Sequence, residues 1–302
     1  MLNLHRLMVL HQFALRGSIS TTAEALDYSP SAVSQQLSAL ERQTGVALLE
    51  RTARSATLTD AGHLLARRAA DLMAATEAAE AELHESAGTI SGSVTISVIP
   101  TVVPFIAAEL ARLAAATPRL ELVLRQAESA DALQLLERSD VDVAVVDVWP
   151  PRRTITSPRM RSTPLVPDRL VVAMPPGHHL ASSTSAIGLK ELTPHLARDT
   201  WLCAPHGHPS RAGTDAMLRR HDLEPGTRWE FEGLSTIAGL VAQGTGIAVL
   251  PRLALSGAAD GIHTRELRPA AHRSIVAVTR TSARRRPAVA ATLATLREAF
   301  VP

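Results

Sequence analysis

The sequence predicts an α+β multidomain fold: an N-terminal winged helix-turn-helix, a long linker helix, and a C-terminal α/β domain of two lobes. Three patterns carry that prediction. Short capped helices crowd the first sixty residues, a Leu/Ala stripe at 4,3,4,3,4 spacing follows, and strands then alternate with helices for about two hundred residues. A chain of 302 residues is about twice a typical domain, and 46% hydrophobic content supplies the cores. The expected boundaries are 1–59 for the helix-turn-helix and wing, 60–88 for the linker helix and 92–302 for the α/β domain. Within that domain, lobe I takes about 92–165 and 268–302, and lobe II about 166–267.

Leu4, Leu7, Met8, Leu10, Phe13 and Leu15 give a first helix, which Gly17 stops in the left-handed region. Ser20 or Thr21 is placed to cap a second helix, with Thr21 and Glu24 at capping-box spacing. A third begins almost at once, with Ser29 as N-cap and Pro30 at the first helical position. Two short helices with almost no loop between them make a helix-turn-helix, whose second helix enters the major groove of DNA.

That second helix, SPSAVSQQLSALE, has an unusual outer face. At about 100° per residue, Val33, Leu37 and Leu40 fall on one side, opposite Ser31, Ser34, Gln35, Ser38 and Arg42. A solvated helix would carry Lys and Glu there. Short or flexible hydrogen-bonding groups instead suit close approach to a surface. Val46, Leu48 and Leu49 are then expected to pin an extended segment to the core, leaving Arg51 and Arg54 on a β wing within reach of phosphates.

Thr59 caps the next predicted helix, from about Asp60 to Ser86, in which Leu65, Ala69, Leu72, Thr76, Ala79 and Leu83 form a heptad seam. So narrow a stripe on so long a helix calls for a partner, and Leu65, Leu72, Ala79 and Leu83 are the expected dimer seam. TISGSV then ends the helix and opens a strand. Beyond it, strands near 120–126, 142–148, 169–174, 201–204, 228–231, 246–250 and 274–279 alternate with helices near 103–116, 130–138, 188–197, 210–220, 235–244 and 287–300. That order implies largely parallel sheets covered by helices, arranged as two lobes about a cleft.

Composition narrows the function classes. The lone Cys203 rules out an intramolecular disulfide framework and fits a reducing compartment. The start, MLNLHRLMVLHQFALRG, lacks the pattern of a secretion signal, and no apolar run approaches the ~20 residues of a membrane span, so a cytoplasmic protein with no membrane partner is expected. Residues 1–90 carry seven Arg against ten Asp and Glu, within a chain of net charge +2. Any case for DNA therefore rests on where residues are placed, not on bulk charge.

The blocks GSIS, AEAL, SPSAVSQQLSALE, GVALLERT and LTDAG, in this order between Phe13 and Gly62, resemble the N-terminal region of LysR-type transcriptional regulators. PDRLVVAMPPGHHLA and GLVAQGTGIAVLP resemble segments of that family's effector-binding domain, so the resemblance covers essentially the whole chain. It implies a winged helix-turn-helix, a dimerising linker helix and a two-lobed domain like periplasmic binding proteins. The expected partners are promoter or operator double-stranded DNA, a small-molecule effector in the inter-lobe cleft, and further copies of the chain as a homodimer or homotetramer. Binding upstream of promoters also brings RNA polymerase within reach.

By the matching positions, Ser31, Ser34, Gln35 and Ser38 face base edges, and Arg51 and Arg54 hold phosphates. Many members have Arg where this chain has Gln35. Arg reads guanine and Gln prefers adenine, so an adenine contact is expected here.

Ligands of two-lobed α/β domains bind beyond the carboxyl ends of strands, near helix N-termini that favour anions. This selects Pro100 and Thr101 after the first strand, Ser129 after the second, and His206 and Ile247 from the other lobe, with a carboxylate effector as the natural fit. Cys203, His206 and His208 form C-x2-H-x-H, but neither a fourth ligand nor a supporting carboxylate accompanies them, so no metal or cofactor is expected. His178-His179 reads as a turn, and RTSARRRP as a solvated cap before the last helix. No phosphate loop or nucleophile elbow suggests an enzyme. Two rivals remain: a C-terminal domain that only oligomerises, and a cytoplasmic solute-binding protein, which the helix-turn-helix disfavours.

Overall fold

The computed structural model describes residues 1–52, 55–86, 90–150, 155, 157–257 and 261–301. The chain divides into two compact units, Met1–Thr89 with Thr281–Pro287, and Ile90–Arg280 with Ala288–Pro302.

In the first unit, α1 (Leu4–Arg16), α2 (Ile19–Leu26) and α3 (Pro30–Thr44) pack about Leu7, Leu10, Phe13, Val33, Leu37 and Leu40. Asn3 caps α1 by accepting from the Arg6 N–H at 3.1 Å, and Gly17 ends it at φ 76°. The cap of α2 is Ser18, earlier than the predicted Ser20 or Thr21; its hydroxyl accepts the Thr21 N–H at 3.1 Å. Asp27, left-handed at φ 55°, closes α2, and Ser29 caps α3 through the Ala32 N–H at 3.2 Å with Pro30 opening the helix.

The wing is the antiparallel pair β1 (Leu49–Arg51) and β2 (Ala56–Leu58), with Glu50 opposite Thr57. Leu48 and Leu49 anchor it in the core, whereas Val46, expected to help, is 48% exposed. Glu41 of α3 does that work instead, accepting the Leu48 and Leu49 N–H groups at 2.9 and 3.0 Å. The long helix α4 (Asp60–Ser86), about 40 Å at 1.5 Å per residue, is capped by Thr59 through the Gly62 N–H at 3.0 Å. A Cβ on Gly62 would sit 2.2 Å from the Leu48 carbonyl oxygen, so only glycine lets α4 approach the wing this closely. The basic segment ahead of the last helix, expected to be solvated, buries Ala283 and packs its turn on α4.

The second unit is built on a curled eight-stranded sheet, with a separate parallel pair of strands over Thr200–Cys203 and Thr227–Glu230. Its first lobe carries β3 (Gly92–Val98), flanked by parallel β4 (Leu120–Gln126) and β5 (Val143–Val148), with α5 (Val103–Ala116) and α6 (Ser129–Glu137). The 15-residue β6 (Met160–Met174), which the pattern predicts only from 169, starts nine residues earlier and serves both lobes. In the second lobe, β7 (Ile187–Gly188) and a 3-10 turn precede α7 (Thr193–Arg198), in place of a continuous helix over 188–197. There follow β8 (Thr200–Cys203), α8 (Pro209–Arg219), β9 (Thr227–Glu230), α9 (Leu234–Ala242) and β10 (Ala248–Pro251).

β11 (His263–Arg268) is a strand the pattern does not predict, because one of its two buried positions, beside Leu267, is Arg265, 6% exposed, which donates to the Ser185 carbonyl at 2.8 Å. β12 (His272–Arg280) and α10 (Pro287–Glu298) complete the unit. The sheet is mixed, not largely parallel: β12 runs antiparallel to β5 and β6, and β10 and β11 antiparallel to β6. β12 returns the chain from the second lobe to the first alongside β6, so these two strands form the crossing between lobes.

Candidate functional site

Ser31 and Gln35 lie exposed on the outer face of α3, and Ser34 and Ser38 are half-buried beside them. The Ser31 hydroxyl meets that of Ser29 at 2.9 Å. Arg51 does not project away from this face. Its guanidinium lies across it, donating to the Ser34 hydroxyl at 3.1 Å and the Ser38 hydroxyl at 3.0 Å, with the Glu41 carboxylate 3.7 Å away. Arg54 lies outside the described residues. Sequence reasoning misses Glu41, which fixes the wing to α3 and holds Arg51 over the serines; its place in the helix pattern gives no signal of either role. The result is a surface of hydroxyls, an amide and one guanidinium, set by caps and a close-packed wing.

The seam on α4 divides in two. Leu65, with Ala66 and Ala69, packs into the core of its own unit. Farther along, Leu72 is 43% exposed, Ala79 is exposed and Leu83 is 69% exposed, and all three fall within about 40° of one another around the helix. Leu65 belongs to the same stripe, but the first turns of α4 are used to close the helix-turn-helix.

In the second unit, β6 and β12 cross with Asp168 and Arg273 as direct cross-strand partners. Arg273, 1% exposed, donates to the Asp168 carboxylate at 2.9 Å, to that of Asp147 at 2.8 Å and to the Thr101 hydroxyl at 2.7 Å. Asp147 also accepts from the Trp149 indole and the Ser129 hydroxyl, both at 2.6 Å, and the Trp149 ring lies 5.6 Å from the Arg273 guanidinium carbon. Burial pushes the Asp168 carboxyl above its ordinary range, while the Arg273 charge and the Leu253 N–H pull it back. Removing one partner of such a network strands a buried charge, so the cluster holds the strand crossing rigidly.

Beside it lies a small cavity of ≈ 20 Å³, open to solvent and lined by Ile99, Pro100, Thr101, Glu128, Asp147, His208, Leu234 and Arg273. Of the residues selected from the sequence, Pro100 and Thr101 line it. Ser129 does not: its hydroxyl is spent on Asp147, and its neighbour Glu128 faces the space. His206 is exposed and absent from the lining. Gly207, at φ 91°, turns the chain so that His208 reaches the pocket, 3.7 Å from the Glu128 carboxylate, while capping α8 through Ser210. Ile247 is a core residue, 1% exposed, bridged to Trp201 and donating to the Thr200 carbonyl at 2.9 Å.

Cys203, His206 and His208 do not converge on one point among the described residues. Cys203 is buried, with the Arg211 guanidinium 2.8 Å from its sulfur. Burial raises its thiol pKa, and Arg211 offsets this only in part. Arg211 in turn pairs with Asp215 at 2.7 Å and Glu230 at 3.1 Å. No helix among the described residues is long and apolar enough to cross a membrane.

Two family models match the chain: the bacterial regulatory helix-turn-helix protein of the lysR family over residues 4–63, and the LysR substrate binding domain over 87–301. A Streptomyces viridosporus protein named "Probable hydrogen peroxide-inducible genes activator" is 30% identical, over 92% of this chain and 88% of its own. The structure of a full-length OxyR from Pseudomonas aeruginosa, a cysteine-to-aspartate mutant, superposes with a TM-score of 0.72 at 22% identity, covering 98% of both chains. That of a hydrogen peroxide-bound, cysteine-to-serine mutant of Corynebacterium glutamicum OxyR gives 0.60 at 26% identity, covering 99% of this chain and 93% of that one. The outer face of α3, the wing and the pocket at the strand crossing thus belong to a member of the LysR family of DNA-binding transcriptional regulators, with a helix-turn-helix domain and an effector-binding domain.

Proposed function

We propose that this chain acts in the cytoplasm, and without catalysis, as a homo-oligomeric regulator. It reads double-stranded DNA with Ser31, Ser34, Gln35 and Ser38, and answers to a small effector in the pocket at Thr101. The observation that carries the reading is the outer face of α3: exposed groups that form directional hydrogen bonds, beside one guanidinium held ready by two hydroxyls. Base edges offer hydrogen-bond patterns, whereas Lys or Glu would add only sequence-blind attraction or repulsion. On binding, Arg51 exchanges its serines for a phosphate and frees both hydroxyls; Arg54 is assigned a phosphate by its motif position alone. The exposed stretch of seam, Leu72, Ala79 and Leu83, pairs two copies, and RNA polymerase is the expected partner at the promoter.

The pocket argues against the anionic effector expected from helix N-termini. Arg273 is already matched by Asp147 and Asp168, and Glu128 stands at the N-cap of α6, where its own carboxylate complements the helix end. Two carboxylates, Asp147 and Glu128, border this space together with Arg273 and His208. A small molecule with an amine or other donor group directed at Glu128, whose side chain is half exposed while Asp147 is already bonded to Ser129, Trp149 and Arg273, fits better than a carboxylate.

The relatives' names speak of hydrogen peroxide. Thiol sensing needs an accessible thiolate, and the only cysteine here is buried with a raised pKa, so that response is not carried over.

Footprinting on genomic fragments, including the chain's own upstream region, tests the reading. A protected site whose extent changes with a small amine, and not with the matching carboxylate, supports it. No protection at low ionic strength contradicts it.

A further inference from the structure

Away from the pocket, the second lobe gathers four side chains the regulator reading does not use. His178 and His179 follow β6 in a turn, as expected, and the end of α7 brings His195 and Asp199 against them. One ligand atom from each lies within 4.8 Å of all the others. The His179 Nε2 is 2.7 Å from the His195 Nδ1, and that nitrogen is 3.4 Å from the Asp199 carboxylate. His178, His195 and Asp199 are largely buried; His179 is exposed and closes the cluster toward solvent.

The four are not equivalent. The His178 Nδ1 accepts the Leu180 N–H at 3.2 Å, which places its proton on Nε2, and Nε2 donates to the Asp199 carboxylate at 3.1 Å. Binding a metal through Nε2 would cost His178 its bond to Asp199, and binding through Nδ1 would cost it the turn-capping bond. His178 is therefore built to orient Asp199, the role that partners of metal ligands commonly fill.

We propose that His179 Nε2, His195 Nδ1 and Asp199 Oδ2 bind a divalent transition-metal ion of the zinc class, with His178 as the positioning residue and the remaining coordination position open to water. Two imidazoles and a carboxylate suit such an ion, with bonds of about 2.0–2.2 Å, and its ligand atoms then stand about 3.3 Å apart in a tetrahedron. The observed 2.7 and 3.4 Å bracket that separation, and the third pair, His179 with Asp199, lies within 4.8 Å, so the exposed His179 ring is the one that must move to close the set. The metal clips the turn after β6 to the end of α7, so binding raises the stability of the folded chain. The proposal does not depend on DNA binding or on the effector.

The test uses the untagged full chain, stripped with chelator and titrated with ZnCl2 by calorimetry and with CoCl2 by visible absorption. One equivalent per chain, d–d bands of a four- or five-coordinate nitrogen-oxygen site and a higher melting temperature are expected. His179→Ala, at an exposed position, abolishes the stoichiometric binding; His178→Gln weakens it roughly 10–100-fold; His206→Ala, on another loop, leaves it unchanged. Zinc binding that survives His179→Ala, or no binding by the wild-type chain at millimolar metal, overturns the proposal.

Discussion

The outer face of α3 and the strand crossing of the second unit solve opposite problems with polar groups. On α3 the groups are small, uncharged and near solvent: Ser31 and Gln35 cost little to leave in water and are available to a duplex. At the crossing, Arg273, Asp168 and Asp147 are charged and buried, and they have found one another. On α3 the hydroxyls sit in solvent-edged bonds that a ligand can replace, whereas at the joint the buried charges are closed on one another. The comparison predicts that substitutions at the crossing act on stability and those on α3 act on recognition.

The sharpest break would come at Arg273. Arg273→Met leaves two buried carboxylates facing each other and should cost about 3–5 kcal/mol in chemical denaturation; a loss below about 1 kcal/mol, the range of an exposed pair, would mean that the crossing is not held by this cluster. Next, Gln35→Ala should leave the melting temperature unchanged and remove about 1–3 kcal/mol of discrimination at one base pair of the bound site. A Gln35→Ala protein that melts earlier yet discriminates as before would reverse the contrast.

Arg51→Ala tests a smaller effect. Loss of one phosphate contact lowers the slope of log affinity against log salt by about 0.9 and weakens all sequences alike. A change in base preference instead would place Arg51 among the readers. Last, Cys203→Ser should change nothing in the DNA response to hydrogen peroxide, and native Cys203 should be alkylated far more slowly than in denatured chain, because burial raises its pKa. Rapid alkylation of the folded protein would make the thiol accessible after all.

The two regions also differ in how far they can be read without the structure. Ser29, Pro30 and the stripe Val33, Leu37, Leu40 define α3 within a dozen residues, because caps and periodicity are local. A cap can slip along the chain, as it does to Ser18, without moving the helix face. The crossing has no local signature: Arg273 stands 105 residues from Asp168, 126 from Asp147 and 172 from Thr101, and nothing in VPDRLVV or HRSIVAV announces such pairing.

Thr101 is legible because the end of the first strand is a position the α/β pattern defines. His208 is missed by two residues in favour of His206, since the turn at Gly207 decides which imidazole faces inward. Ser129 and Ile247 fail for a related reason: strand ends give the neighbourhood of a cleft, but hydrogen bonding and packing decide which side chains are already spent. The His179–His195 meeting is likewise out of reach, because it requires a turn and a helix end sixteen residues apart to fold onto each other.

Paired chains whose α3 faces read base edges are the centre of this account, and the most direct measurement joins the two halves of that claim. Sedimentation and duplex titration of the wild type, Leu72→Glu and Gln35→Ala on one protected site should give, in that order, three outcomes: a dimer or tetramer with base discrimination, a monomer with roughly tenfold or more weaker binding as the second half-site contact is lost, and an intact oligomer without discrimination at one base pair. A Leu72→Glu chain that stays oligomeric, together with a Gln35→Ala chain that discriminates every base pair as the wild type does, would contradict it.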